Sequence, residues 1–421
     1  MEHTQSNELI PHLFRLEFTK MTAVLSRHFG LKHIEVAEDI ASETFLKATE
    51  LWIAKGIPEN PTAWLYTVAK NKAKDFLKRE TYFKKNITHK IKLESEIQNQ
   101  PEVDFTEQNI NDSQLAMIFA VCNPVNSDEA QISLVLQILC GFSIEEIANA
   151  FFSNKETIKK RLLRARENLR TGQFALQQLT RDEIKSRLGI VLRTLYLLFN
   201  EGYFSASGNT LIRKDLCAEA MRLTLLLSEN ELTNLPEVNA LLALQCFQAS
   251  RFDARVNAEQ EAVLFEEQDK KHWNQEMISK GNYFMGKAYP AVDLSKYHFE
   301  AGLAYWHTTE DEKKWEHILM LYNQLLVVEY SPSAALNRTF AFAQVYGNER
   351  AVEEALKLGL STNHYYHSLL GFLYATFNKQ QAICHYTKAK ELTRSEMEKK
   401  QLAKAIDKLK TTEEPATQQP G

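Results

Sequence analysis

Two helix-start signals stand close together in this chain: Ser143 followed by Glu146, and Ser153 followed by Glu156. In such a pair the serine oxygen takes an amide of the first turn while the glutamate reaches back to the serine amide. A chain that restarts a helix so soon must fold back on itself. After the first signal, Ile144, Ile147 and Ala148 share one helical face; Phe151 and Phe152 then break the pattern. After the second, Ile158, Leu162, Ala165 and Leu169 recur at the 3.6-residue period. The preceding apolar run QISLVLQILCGF carries Gly141, a residue suited to stop a helix. Two short helices joined by a brief turn and packed on a predecessor match the helix-turn-helix plan, in which the second helix reads DNA.

The face opposite the apolar stripe carries Ser153, Thr157, Lys160, Arg161 and Arg164. Arginine and lysine at the start of such a helix can pair with guanine in the major groove. Lys155, Lys159 and Arg166 lie on a flank and suit phosphates. The plainer alternative is a solvated basic helix without a ligand. Solvated helices usually alternate charge signs, whereas Asn154 to Arg170 holds seven Lys or Arg against Glu156 and Glu167. The imbalance is local, since the whole chain has a formal net charge of -4. From Leu93 to Glu129 there is no Lys or Arg, and from Pro61 to Lys90 the balance is basic again, with Asp75 and Glu80 the only acids. The order basic, acidic, basic reads as two binding surfaces and a linker.

The first basic block, PTAWLYTVAKNKAKDFLKRE, also scans as a helix, with Pro61 at its tolerant first position. Leu65, Val68, Ala69 and Phe76 form its inner stripe. Thr67, Lys70, Asn71, Lys74 and Lys78 face outward, with Trp64 at the edge. Cations that track a backbone beside an aromatic ring are how single strands are held, although a tryptophan at a helix start is more often a core residue. Upstream, HIEVAEDIASETFLKATELW exposes Glu38, Asp39, Ser42 and Glu43, with Ile40, Phe45 and Leu46 available for packing. That acidic face is either solvated or a docking surface for a basic protein.

Taken in order, AEDIASETFLKA, NPTAWLYTVAKNKAKDFLKRE, an acidic linker and TIKKRLLRARENL resemble the extracytoplasmic-function group of bacterial sigma-70-type sigma factors. Further segments, LRTLYLLFNEGYFSASG and SPSAALNRTFAFAQVYG among them, look like the subgroup with a large tetratricopeptide-like C-terminal extension. The subgroup usually shows Cys-His-Pro where this chain has Cys122-Asn123-Pro124, so no Cys/His metal ligand is expected there and Cys122 reads as a small buried hydrophobe. The resemblance implies that Glu38, Asp39, Glu43 and Phe45 dock on core RNA polymerase. It implies that Trp64, Lys70, Asn71, Lys74 and Lys78 capture and open a −10-type promoter element. It further implies that Ser153, Thr157, Lys160, Arg161 and Arg164 read a −35-type element in duplex form, with Lys155 and Lys159 on its phosphates.

The expected architecture is therefore all-α: a first sigma domain over residues 8–90, an acidic linker over 91–112 and a helix-turn-helix domain over 113–175. An irregular helical-repeat, tetratricopeptide-like domain over 180–410 and a disordered tail over 411–421 complete it. In the C-terminal half, EVNALLALQCFQASRFDARVNAEQEAVLFEEQD, ALNRTFAFAQVYGNERAVEEALKL and HSLLGFLYATFNKQQAICHYTKAKEL each read as a helical hairpin. Their spacing, roughly 31 residues, approaches the roughly 34 of tetratricopeptide repeats. Such stacks usually bind proteins, so a regulatory protein or ligand is expected there. Asn200-Glu201-Gly202-Tyr203 reads equally as a contact site or as a helix end with a buried tyrosine. His364 and His367 form a pair by chance rather than a metal site, and Trp273, Trp306 and Trp315 anchor the core.

Five scattered cysteines without a C-x-x-C fit a reduced, cytoplasmic protein. No apolar run reaches the roughly 20 residues that span a membrane. No phosphate loop, nucleophile motif, metal set or cofactor motif is present, so an enzyme is the least favoured reading. A helix-turn-helix regulator with a tetratricopeptide-like sensor domain is the alternative. It would have no use for a strand-holding platform behind an acidic docking helix.

Overall fold

With 14 Gly and 10 Pro spread over 421 residues, little interrupts helix propagation. The computed structural model describes residues 2–87, 102–151, 153–171, 180–203, 213–255, 263, 267–289 and 292–411. Among them the chain forms eighteen α-helices and no strand, as an all-α fold requires. Phe152, the linker up to residue 101 and the tail beyond Thr411 lie outside the described residues.

The chain divides into two compact units, Met1–Gly202 with Ala218–Asn234, and Tyr203–Cys217 with Leu235–Gly421. The first holds α1 (Glu2–Phe29), α2 (Ile34–Lys55), α3 (Pro61–Ile87), α4 (Glu107–Val121), α5 (Asp128–Leu134), α6 (Ile144–Ala150) and α7 (Lys155–Thr171). It also takes nearly all of α8 (Arg181–Tyr203) and most of α9 (Lys214–Glu229). Helices α1 to α3 bury one cluster that includes Met21, Leu25, Ala37, Ala41, Leu65, Ala69 and Ala73, closed by Val103 and Ile110. The alanines let the helices approach closely. Helix α5 runs on into a π-helical turn, Val135–Leu139, which ends as Gly141 turns to a φ of 69°. A Cβ at Gly141 would also meet the Thr19 methyl at 3.4 Å, so the stop expected at this glycine has both a backbone and a packing cause.

Two expected boundaries move. The linker ends at Thr106, and α4 starts at Glu107 rather than near residue 113. Asp104 folds back onto the Thr106 amide and hydroxyl at 3.0 and 2.8 Å, and Glu107 sits in the first turn, where a negative charge favours a helix. The boundary expected near residue 180 is absent, because α8 and α9 are built into the first unit. The Thr194 hydroxyl donates to the Gln131 side chain at 3.0 Å, and Arg193 pairs with Asp128 at 2.7 Å. Arg222 donates to the Leu139 carbonyl at 2.9 Å, beside the π-helical turn. Cys122 is buried as expected, and burial pushes its thiol up to about 12.

The second unit contains α10 (Pro236–Ala249), α11 (Gln275–Ala288), α12 (Lys296–Thr308), α13 (Lys314–Val328), α14 (Pro332–Tyr346) and α15 (Asn348–Lys357). It ends with α16 (His364–Tyr374), α17 (Lys379–Leu392) and α18 (Glu396–Thr411). The hairpin of α14 and α15 turns at Gly347, φ 90°, with Ala351 and Ala355 fully buried. The hairpin of α16 and α17 closes on Gly371, where an added Cβ would lie 2.5 Å from the Tyr386 ring.

Of the hairpin expected from Glu237 onward, the first arm is α10, and residues 256–262 and 264–266, where most of the second arm was expected, lie outside the described residues. A short 3-10 turn, Phe252–Ala254, follows α10. Arg251 there donates to the Tyr203 hydroxyl at 2.9 Å, and Arg255 donates to the Tyr203 carbonyl at 2.9 Å while its guanidinium lies 3.9 Å from the ring centre. Tyr203 is thereby buried between two arginines. Trp273 is buried, and Trp306 and Trp315 pack against the cluster of α12 to α14. His364 does have a carboxylate partner, Glu398 at 3.2 Å from α18, which sequence spacing did not reveal.

Candidate nucleic-acid interface

Helix α3 starts where Asn60 accepts the Ala63 amide at 2.9 Å, and Pro61 occupies the first turn, where its missing N–H costs nothing. Leu65, Ala69 and Ala73 are fully buried, and this seam fixes the direction of the outer face. On that face Tyr66, Lys70 and Lys74 follow one another at intervals of one helical turn. Glu102, from the segment before α4, lies 2.6 Å from the ammonium groups of both Lys70 and Lys74. The hydrogen bonds from Lys70 and then Lys74 hold its exposed carboxyl down at about 2. Phe105 stacks on Tyr66 with ring centres 4.8 Å apart and planes 3° from parallel.

The Tyr66 hydroxyl donates to Glu17, a buried carboxylate that Lys20 also meets at 3.1 Å. Burial first, then the Glu17 hydrogen bond, raises the phenol above its ordinary range. Thr67, Asn71 and Lys78 are exposed. Trp64 packs edge-on against Trp52 at 5.4 Å and belongs with the core, so the ring that stands among the lysines is Tyr66. Sequence reasoning missed Tyr66; its place four residues before Lys70 was the available signal.

On α2, Asp39, Ser42 and Glu43 are exposed, with Leu46 beside them at 60% exposure. Glu43 pairs with Lys72 of α3 at 2.6 Å. Phe45 departs from its expected docking role. It is 4% exposed and lies edge-on to Phe14 at 5.0 Å, so it holds α2 in place and reaches no partner. Glu38 is engaged within the first unit: Arg166 of α7 grips its two oxygens at 2.9 and 2.7 Å. Gln137 accepts from the same guanidinium at 3.2 and 2.9 Å, and Arg170 pairs with Glu35 one turn along. Arg166 was expected on phosphates. Its position on the inner flank of α7 makes it a structural cation instead.

The capping box at Ser143 is present, with the Ser143 amide donating to Glu146 at 2.8 Å and the Glu146 amide donating to the serine oxygen at 3.2 Å. The second start differs from its expectation. Asn154 caps α7, accepting the Thr157 amide at 2.7 Å, and Ser153 stands one residue before that cap. Ile158, Leu162, Ala165 and Leu169 are buried as the periodicity required. Asn126, before α5, clamps this helix: it donates to the Ala165 carbonyl at 3.3 Å and accepts from Asn168 at 2.9 Å.

Thr157, Lys160, Arg161 and Arg164 line one open hollow of about 420 Å³, bounded on the far side by Val125, Asn126 and Ser127. The Arg161 guanidinium lies 5.4 Å from the Phe151 ring centre, and its Nη1 is buried without a hydrogen-bond partner. Lys155 turns away to Glu145 at 2.9 Å. Among the described residues no ion pair joins Lys159, Lys160, Arg161 or Arg164. Such a concave, cationic, uncompensated face can take an anionic backbone and present arginines to base edges. Among the described residues no group of three or more His, Cys, Asp or Glu could hold a metal ion, and no helix is long and apolar enough to cross a membrane.

Residues 18–82, covering the C-terminal part of α1, all of α2 and most of α3, match sigma-70 region 2. Residues 187–289 match a family of unknown function, DUF6596. An uncharacterized protein of Rhizobium meliloti (strain 1021) is 31% identical over 358 residues, which is 83% of this chain and 83% of that protein. No solved structure matches the chain.

Proposed function

The chain is a sigma factor of the sigma-70 family and belongs to one protein family with the Rhizobium meliloti protein, and we propose that it is of the extracytoplasmic-function type, placing core RNA polymerase on its promoters through α3 and α7. Through its region 2 domain it binds core polymerase and promoter DNA. In this reading Asp39 and Glu43, with Glu38 once it leaves Arg166, meet a basic surface of the polymerase. Lys70, Asn71, Lys74 and Lys78 follow the backbone of the melted strand. Thr157, Lys160, Arg161 and Arg164 enter the major groove of the duplex element, and Lys159 takes a phosphate. Bond-making chemistry stays with the polymerase; the chain supplies location and strand opening.

The observation that carries this reading is the hollow on α7. Its cations project from a helix whose opposite face is fully buried, and no carboxylate of the described residues neutralises them. A helix kept rigid and left electrostatically unsatisfied is ready for a polyanion. The helical C-terminal part modulates activity in this reading. Support comes from Thr194, Arg193 and Arg222, which tie residues beyond 180 to α5 and its π-helical extension, the elements on which α7 packs. A regulatory protein or ligand bound farther along would then act on the reader through α8 and α9.

Run-off transcription with purified core polymerase tests the assignment. Arg164→Ala should weaken initiation at promoters with the cognate duplex element by about 1–3 kcal/mol, the worth of a bidentate guanine contact. Unchanged initiation from those promoters rejects it.

A further inference from the structure

We propose that the segment Glu102–Phe105 is a self-bound stand-in for single-stranded DNA, so that the free chain holds the strand-binding face of α3 closed. The proposal rests on α3 being the strand platform. Tyr66, Lys70 and Lys74 stand in one line, about 6 Å apart along the helix axis. Glu102 lies between the two lysines and touches both at 2.6 Å, as a bridging phosphate would. Three residues later Phe105 lies flat on Tyr66, as a stacked base would. Three extended residues reach about 10 Å, and the helix rises about 9 Å from Tyr66 to the midpoint of the lysines. One pass of extended chain thus puts an acid on the cations and a ring on the ring.

The segment is also built to lift in part. Val103 is buried in the core cluster, and Asn109 donates to the Asp104 carbonyl at 2.6 Å, which anchors the middle and the end near α4. Glu102 is 59% exposed, and nothing on the described surface covers it. Exposed ion pairs contribute little to stability and weaken with salt. A strand bringing several phosphates to α3 can therefore displace the carboxylate without unfolding the unit, and Phe105 has to slide off Tyr66 to admit a base. The basic block is then open only when a real strand competes, which keeps the free chain from stray single strands.

The test uses the full chain and a short fluorescein-labelled oligothymidylate, with anisotropy read across a salt series. Glu102→Gln should tighten binding about five- to tenfold at low salt and steepen the log–log salt slope by about 1.4, because two lysines now release counterions on binding. The gain should vanish when Lys70→Ala and Lys74→Ala are added. If Glu102→Gln binds like the parent while the double lysine variant binds more weakly in both backgrounds, α3 is the platform but the segment is no gate, and the proposal is overturned. If the lysine variant changes nothing in either background, the platform assignment itself fails. Because Glu102 is exposed, the glutamine variant does not risk the fold, and a melting curve checks that it retains it.

Discussion

Helices α3 and α7 are built on one plan and end in opposite states. Each has a fully apolar inner seam, Leu65–Ala69–Ala73 in one and Ile158–Leu162–Ala165–Leu169 in the other, and each turns a row of cations outward. On α3 three of the cations are met from the same chain, Lys72 by Glu43 and Lys70 and Lys74 by Glu102, and Lys78 farther along is exposed. On α7 the outer cations Lys160, Arg161 and Arg164 meet no carboxylate of the described residues, while Lys155 at the helix start pairs with Glu145 and the inner Arg166 and Arg170 pair with Glu38 and Glu35. A basic sequence block is therefore not yet a binding surface. What decides is whether distant acidic residues are folded onto it.

The largest test of this comparison strikes the seam of α7. Leu162→Ala should cost about 3 kcal/mol, because the stripe around it cannot collapse onto a cavity on a single helix. It should lower the thermal unfolding midpoint of the chain and abolish duplex binding. Strand binding at α3, whose own seam is Leu65, should survive if the two helices are separate platforms. Loss of both activities together would show that the two helices act as one.

Next in size is Arg166→Ala. It leaves Glu38 and Gln137 without their donor in a partly buried place and should cost about 2 kcal/mol. Calorimetric unfolding reads the loss. Salt-dependent duplex binding should keep its slope, since an arginine bound to Glu38 releases no counterions to DNA. A slope flatter by about 0.9 would restore the phosphate role that sequence position suggested.

That exchange of roles marks how far the sequence could be read. The seam of α7, the capping box at Ser143, the stop at Gly141 and the Gly347 turn all follow from spacings of a few residues and are present, while on α3 Leu65, Val68 and Ala69 are buried as expected but Phe76 is half-buried and Ala73 joins the seam. The pairing of Glu38 with Arg166 joins residues 128 apart in the chain. Nothing local distinguishes Arg166 from Arg164 except about half a turn of helix and the identity of the neighbour it faces. Phe45 failed for the complementary reason. An aromatic on an acidic helix suits a docking surface or a core equally well, and only the ring of Phe14 settles which. The linker contacts of Glu102 and Phe105 were illegible because an extended segment has no periodicity to announce its partner.

A smaller effect separates the two candidate starts of α7. Asn154→Ala should cost about 1 kcal/mol, the usual worth of a cap, while Ser153→Ala should change stability by only a few tenths. The Ser-x-x-Glu pattern at Ser153 competes with an asparagine one residue later, and the asparagine supplies the bond to the Thr157 amide. The reverse ranking in urea unfolding would put the helix start, and with it the register of the outer cations, one residue earlier.

The smallest expected effect sharpens the comparison most. Glu102→Gln should leave the thermal unfolding midpoint unchanged, since the carboxylate is exposed and its two ion pairs are solvated. Arg166→Ala removes a pair that is largely enclosed, at 11% and 21% side-chain exposure, and there stability must pass through the contact. If Glu102→Gln instead costs as much as Arg166→Ala, the segment before α4 is a structural strut, and the contrast between a covered α3 and an open α7 would report folding and not function. If it costs almost nothing while strand affinity rises, the coverage of α3 is a property kept for its effect on binding, because it contributes nothing to holding the helix in place.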